Sequence, residues 1–180
     1  MIDEKEFIKQ LLSHETQNTA FQKLLSDYQR PLYSHIRNIV LNHDDADDVL
    51  QNTFVKVFQN LKNFKGESKL FSWMYRIATN EALTFLSQKA KLSGISSEDL
   101  QNKTIDNLKA DLYFDGDEIQ IKLQKAIVTL PEKQQLVFKM KYFEELKYEE
   151  IAEILGTSVG ALKASYHHAV KKIELYVTSN

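Results

Sequence analysis

The sequence predicts an all-α protein made of two small helical domains joined by an acidic linker, and three observations carry that prediction. Gly 5 and Pro 2 in 180 residues are too few for turn-rich β architectures. Apolar residues recur at spacings of three and four along most of the chain. From Ser87 to Glu118 that period fades and Ser, Asn, Asp and Gly gather, as in Ser93-Gly94-Ile95-Ser96-Ser97 and Asp115-Gly116-Asp117. Such a stretch is too long for an internal loop of a compact domain and reads as a tether. The expected division is therefore a domain over 1–90, a linker over 91–118 and a second domain over 119–180.

Glu4 to Leu12 is a short helical candidate, and Thr16 to Tyr28 is another, with Phe21, Leu24, Leu25 and Tyr28 on one face. Pro31 removes a backbone donor, so a kink or fresh start is expected there before Leu32, His35, Ile36, Ile39 and Val40 resume the stripe. Asp44 or Asp45 is the expected cap of the next helix, with further carboxylates in a first turn whose dipole favours each by roughly 0.3–1 kcal/mol. Behind them Ala46, Val49, Leu50, Phe54, Val57, Phe58 and Leu61 form its apolar stripe, and Asp47, Asp48, Gln51, Asn52 and Lys56 form the opposite face. That face reads either as solvated surface or as a docking surface for a protein.

After a turn at Phe64-Lys65-Gly66-Glu67, Leu70 to Leu86 winds an apolar sector of Leu70, Phe71, Met74, Ile77, Ala78, Ala82 and Phe85. Trp73 lies on its margin with Asn80, Thr84 and Lys69, and Arg76 is just beyond. An indole beside an amide, a hydroxyl and cations can stack a base and bond its edge, at roughly 1–3 kcal/mol per stacked base. A core-edge aromatic is the other reading of the same pattern. The residues leave the two readings open. From Thr53 to Lys91 the cations Lys56, Lys62, Lys65, Lys69, Arg76, Lys89 and Lys91 face only Glu67 and Glu81. The following stretch to Glu118 is reversed, with seven carboxylates (Glu98, Asp99, Asp106, Asp111, Asp115, Asp117, Glu118) against Lys103 and Lys109.

The second domain begins with Ile119, Leu123, Ala126, Ile127 and Leu130, restarts at Pro131, and continues its core through Leu136, Val137, Met140, Tyr142 and Phe143. A helix from Tyr148 then stops at Gly156, Thr157 or Ser158 caps the next, and Val159, Leu162, Tyr166, Ala169, Ile173 and Val177 pin it inward. This is a helix-turn-helix pattern, which either enters a DNA groove or closes a hairpin that binds nothing. The outward face carries Ser158, Gly160, Ala161, Lys163, Ala164, Ser165, His167, His168, Lys171 and Lys172: small residues first, for close approach, and cations later, for phosphates.

Several chemistries are excluded. The sequence has no glycine-rich phosphate loop, no His-Glu-x-x-His and no nucleophile elbow, so no catalytic site and no cofactor is expected. Without cysteine there is no disulfide framework or thiolate metal site. The aspartates at 44–48 lack the glycine and distal glutamate of a calcium loop, and adjacent His167 and His168 diverge by about 100° on a helix, so no metal is expected. The start Asp3-Glu4-Lys5-Glu6 does not resemble a signal peptide, and no apolar run approaches the roughly 20 residues of a membrane helix, so the expected setting is cytoplasmic, without membrane insertion.

The chain resembles the bacterial sigma-70 family, in its two-domain extracytoplasmic-function class. The resemblance rests on Asp45-Ala46-Asp47-Asp48-Val49-Leu50-Gln51-Asn52-Thr53-Phe54-Val55-Lys56-Val57-Phe58, on Phe64-Lys65-Gly66-Glu67-Ser68 with Trp73-Met74-Tyr75-Arg76-Ile77-Ala78-Thr79-Asn80-Glu81-Ala82, and on Leu130-Pro131-Glu132-Lys133-Gln134-Gln135 followed by the helix-turn-helix. It implies a region 2 bundle in 1–90 and a region 4 helix-turn-helix in 119–180, with no catalytic role. It also implies core RNA polymerase (clamp helices and flap), promoter DNA and an anti-sigma factor as partners. Asp47, Asp48, Gln51 and Phe54 would dock on the clamp helices. Phe64, Lys65, Lys69, Trp73, Arg76 and Asn80 would hold the melted minus-ten strand. The helix from Ser158 would enter the groove of the minus-thirty-five element. Members of the class often place arginines where this chain has Ser165 and His168, so Lys163 becomes the main candidate contact and the 44–86 stretch is expected to carry more of the discrimination. A stand-alone helix-turn-helix regulator and a protein-binding helical adaptor are the rival readings.

Overall fold

The structure is a computed structural model describing residues 3–179, which form nine α-helices and no strand. The N-terminal half holds α1 (Glu4–Leu12), α2 (Gln17–Val40), α3 (His43–Asn60) and α4 (Leu70–Ser93). Helices α2, α3 and α4 pack as a bundle because each turns a run of apolar side chains inward: Leu24, Leu32 and Ile36 from α2, Ala46, Val49 and Val57 from α3, and Leu70, Met74, Ala78 and Ala82 from α4. Burying each of the larger ones contributes roughly 1.5–3 kcal/mol.

Two local expectations are corrected here. Of the kink or fresh start expected at Pro31, the fresh start does not occur, because α2 runs unbroken through it. Pro31 is exposed, so water can satisfy the carbonyl left without a donor, and the buried residues on either side outweigh one missing bond. Neither Asp44 nor Asp45 caps α3. Leu41, in the left-handed region at φ 64, ends α2 so abruptly that Asn42 is the only extended residue left, and its side chain accepts from the Asp45 backbone N–H at 2.9 Å.

The stretch expected to be an irregular tether is ordered and packed. Helix α4 reaches Ser93 and is closed by Gly94 at φ 66. Ser96 then caps α5 (Ser97–Asp106) by accepting from the Asp99 N–H at 3.0 Å. Ile105 and Leu108 bury themselves with Leu41 and Val128, and Arg37 donates to Asp111 at 2.6 Å. Only Leu100, Gln101 and Ile105 of α5 are buried, too few to leave a period legible in the sequence.

The C-terminal half comprises α6 (Glu118–Val128), α7 (Glu132–Tyr142), α8 (Tyr148–Leu155) and α9 (Val159–Ser179). Pro131 stands just ahead of α7 rather than inside it, its carbonyl accepting from Gln135 at 3.0 Å. Ala126, Ile127, Leu130, Phe138, Ala169 and Ile173 make a local core. The opposite side of α7 and α8 joins the N-terminal bundle: Leu136, Val137, Met140, Ile151 and Ile154 belong to the same continuous core as Leu32 and Met74. Among the described residues no helix is long and apolar enough to cross a membrane.

Candidate functional site

Three surfaces gather the side chains singled out above. The first is a groove of about 680 Å³ between α2 and α3, lined by Phe21, Leu25, Leu50, Gln51, Phe54, Val55 and Phe58. Phe21 meets Phe58 edge-on at 5.0 Å. Val55 and Phe58 stay 54% and 42% exposed, which makes this an apolar patch with room for a partner. Gln51 and Phe54 line it, whereas Asp47 and Asp48 do not. Those aspartates sit at the N-terminal end of α3, where Asp47 lies 3.5 Å from His43, whose other nitrogen is 2.6 Å from the Tyr33 hydroxyl. Tyr113, from the bridge, stacks on the His43 ring at 3.7 Å.

The second surface is the turn before α4. Gly66, at φ 71, lets the chain reverse so that Phe64 comes under the Trp73 indole, with centroids 5.0 Å apart. Phe64 is itself buried and acts as a platform. Together Asn63, Phe64, Lys65, Glu67, Ser68, Trp73, Arg76 and Glu153 enclose a cavity of about 520 Å³. Phe64, Lys65, Trp73 and Arg76 are thus brought to one place, while Lys69, just ahead of α4, and Asn80, on it, are exposed outside the lining. Lys56 is paired with Glu81 and Lys89 with Asp45, whereas Lys62, Lys65 and Lys69 around the turn are exposed, with no carboxylate at salt-bridge distance among the described residues.

Arg76 faces the cavity but is already engaged. Its guanidinium donates through one terminal nitrogen to the Glu153 carbonyl and through Nε to the Ile154 carbonyl at 3.3 Å. These are C-terminal carbonyls of α8, where a helix has acceptors without internal donors and a partial negative charge. Deeper in, His35 is 1% exposed and spans the two halves: Nδ1 lies 2.9 Å from a Glu144 carboxylate oxygen and Nε2 lies 2.8 Å from the Thr79 hydroxyl. Thr79 donates onward to the Tyr75 carbonyl at 2.7 Å. Burial pushes the Tyr75 hydroxyl well above its usual range, with the Glu144 charge adding to the effect. Lys139, 2% exposed, borders a small cavity between α4 and α7, and burial lowers its ammonium to about 8 against a weaker opposing pull from Glu144.

The third surface is α9. Gly156, at φ 63, ends α8, and the Ser158 hydroxyl accepts from the Ala161 N–H at 3.2 Å. Leu162, Ala169 and Ile173 point inward. Gly160, Ala161, Lys163, Ala164, His167, His168 and Lys171 are exposed with Ser158, and Ser165 is half-buried. Lys163 lies 5.8 Å over the Tyr148 ring. Among the described residues no group of potential metal ligands is assembled.

Sequence reasoning missed the contacts joining the halves, His35–Glu144, Arg76 with α8, and Arg37–Asp111. The one available signal was polar His35 standing in the apolar stripe of α2, since a polar residue there needs a buried partner.

Two family models match this chain: "Sigma-70 region 2" over residues 24–92 and "Sigma-70, region 4" over residues 120–173. The RNA polymerase sigma-H factor of Pseudomonas aeruginosa is 30% identical over 163 residues, covering 86% of this chain and 84% of that protein. The ECF RNA polymerase sigma-E factor of Haemophilus influenzae is 30% identical over 163 residues, covering 86% of each. In fold, the chain is similar to CnrH in its complex with the cytosolic domain of CnrY, at a TM-score of 0.71 and 18% identity over 98% of both chains. It is also similar to the sigma factor RpoE of Bartonella quintana in complex with the anti-sigma factor NepR, at a TM-score of 0.63 and 18% identity over 88% of this chain and 96% of that one.

Proposed function

Because the chain belongs to the extracytoplasmic-function sigma factors of the sigma-70 family, we propose that its three surfaces divide the work of starting transcription. As a sigma factor it binds core RNA polymerase and directs promoter recognition and initiation. Its role is non-catalytic, as in the family, and its place is the cytoplasm, where polymerase works. Residues 1–90 act as region 2, 119–180 as region 4, and 91–118 as the ordered bridge between them.

In this reading the α2–α3 groove, with Gln51 and Phe54 on its wall and Asp47 and Asp48 at its head, docks a helical element of polymerase. The apolar groove supplies affinity and the carboxylates supply orientation. The cavity beside Trp73 takes a base unstacked from the melted minus-ten strand, with Phe64 bracing the indole and Lys65, Lys69 and Arg76 neutralising the strand's phosphates. Asn80 bonds further along the same strand. The outer face of α9 enters the minus-thirty-five groove with Ser158, Gly160, Ala161, Lys163, Ala164, Ser165, His167, His168 and Lys171. An anti-sigma factor is the expected regulator, as in the two complexes of similar fold.

The observation that carries this reading is the convergence of Phe64, Lys65, Trp73 and Arg76 on one cavity. Trp73→Ala and Asn80→Ala, assayed with core polymerase in reconstituted transcription, are expected to slow promoter opening, roughly 5- to 100-fold for the tryptophan, the loss of one stacked base. Opening at the wild-type rate by both variants would end it.

A further inference from the structure

Buried Lys139 has no part in the work assigned to the three surfaces. Glu132, Gln135, Leu136 and Lys139 recur at three and four residues along α7, so one side of that helix faces a cavity of about 210 Å³ whose other walls come from α2, α4 and α5. Lys139 is 2% exposed, and its ammonium makes no hydrogen bond or ion pair among the described residues. Glu144 attracts it from outside the lining, but that carboxylate already holds His35. Burial lowers the ammonium to about 8, and the Glu144 charge offsets the cost only in part. A residue that weakens the fold where it stands marks a place where something binds.

We propose that this cavity binds a small organic monocarboxylate, its carboxylate held by the Lys139 ammonium and the Gln101 amide and its short tail lying against Leu86, Leu130 and Leu136. Gln101 is 8% exposed and donates one N–H to the Gln135 carbonyl oxygen at 3.5 Å, which leaves its second N–H to give. Gln135 cannot help, since its own amide donates to the Val128 and Leu130 carbonyls at 3.2 and 2.9 Å. The first residues of α5 and α7 stand on the rim, where both helix dipoles add positive character. Exposed Glu98 and Glu132 stand there too, so a second negative charge, as on phosphate, meets two carboxylates and no second cation. A bare inorganic anion leaves the apolar wall uncovered, and an amine is refused by Lys139 itself. With a water occupying about 30 Å³ of liquid, the cavity has room for a chain of a few carbons. It shares no residue with the three surfaces, so it adds a small-molecule input to the chain and no contact with DNA.

Butanoate is the probe, titrated into the full-length protein by calorimetry at neutral pH. The expected result is one butanoate per chain, bound at millimolar affinity or tighter, and a melting temperature that rises with its concentration because the site exists only in the folded protein. Butan-1-ol, butylamine and inorganic phosphate should each bind at least about tenfold more weakly, for want of the charge-assisted hydrogen bond or of the apolar tail. Lys139→Met removes a buried charge and keeps the length of the side chain, so it should fold while losing about 10- to 100-fold in butanoate affinity, the range of one hydrogen bond to a charged group. Lys133→Ala, which removes an exposed cation on the same helix outside the lining, should bind as the wild type does. Wild-type affinity should also fall as pH rises through about 8 and the ammonium discharges. No binding at about 10 mM butanoate, well above the millimolar range open to so small a ligand, overturns the site. Undiminished binding by Lys139→Met, an equal loss in Lys133→Ala, or equal binding of butan-1-ol does the same, and phosphate binding as tightly as butanoate overturns the organic class of the ligand.

Discussion

Helices α4 and α9, the two proposed to meet promoter DNA, are built on opposite terms. Over its 24 residues α4 buries nine, packs against both halves of the molecule and supports the cavity from the middle of the core. Over its 21 residues α9 buries three and leaves one whole face open. A side chain on α4 proposed to hold DNA therefore shares its helix with the core, and its neighbours bear on both fold and function. On α9 the two are separable, because Leu162, Ala169 and Ile173, flanked by half-buried Tyr166 and Val170, do the anchoring while most of the outer face is exposed.

The largest expected effect tests the α4 side of this contrast. Met74 is fully buried between the reading margin and the core. Met74→Ala should lower the unfolding free energy by about 2–5 kcal/mol in chemical denaturation. A loss below about 1 kcal/mol would mean that α4 is not the centre of the core and would dissolve the comparison.

The next concerns Lys139, which borders a cavity lined on one side by Leu83, Leu86 and Ser87 of α4. Its folded value of about 8 lies below the ordinary 10.5, so between those values the unfolded chain binds more protons and stability rises with pH. Below about 8 the folded protein carries the buried charge at full cost. Each tenfold loss of proton affinity on folding corresponds to about 1.4 kcal/mol, so Lys139→Met should stabilise at neutral pH by roughly 3 kcal/mol. That advantage should shrink as pH rises through 8 toward 10. A pH-independent difference in melting temperature between the two proteins would show that Lys139 is not buried in charged form.

The same contrast explains what could be read from the chain. The α3 stripe and the helix-turn-helix were legible because each depends on neighbours three and four residues apart. The outer face of α9 followed from its inner face, as a helix with one anchored stripe leaves the rest free. On α4 the apolar sector of Leu70, Met74, Ala78 and Ala82 was legible, but the bonds from Arg76 to α8 were not. Arg76 and Glu153 are 77 residues apart, and His35 and Glu144 are 109 apart, so no local period connects them. Helix α5 escapes the sequence for another reason: its exposed polar face hides a stripe of three buried residues. The α3 cap differs from expectation because the acidic cluster at Asp44 and Asp45 fits a first turn as well as a cap, and the left-handed Leu41 that decides between them leaves no mark in the sequence.

On α9 the expected effects are smaller and confined to DNA. Lys163→Ala should leave stability within about 0.5 kcal/mol, since the side chain is exposed. In binding of the holoenzyme to promoter fragments it should reduce the logarithmic salt slope by about one if the ammonium meets a phosphate. An unchanged slope together with lost preference at one base pair would assign Lys163 to base readout instead.

The smallest effect is the most discriminating for the idea that α9 separates anchoring from reading. The Ser158 hydroxyl caps α9 at 3.2 Å, longer than the 2.9 Å of the Asn42 cap on α3, and it is exposed where the Asn42 bond is partly buried. Ser158→Ala should therefore cost toward the low end of the cap range, about 0.5–1 kcal/mol, and Asn42→Ala rather more. If Ser158 only caps, holoenzyme affinity for the minus-thirty-five element should fall by no more than that, about two- to fivefold, because the helix frays at the end proposed to enter the groove. A loss well beyond the change in stability would give Ser158 a direct DNA contact. The first turn of α9 would then be doing both jobs at once, as proposed for α4 at Trp73 and Arg76.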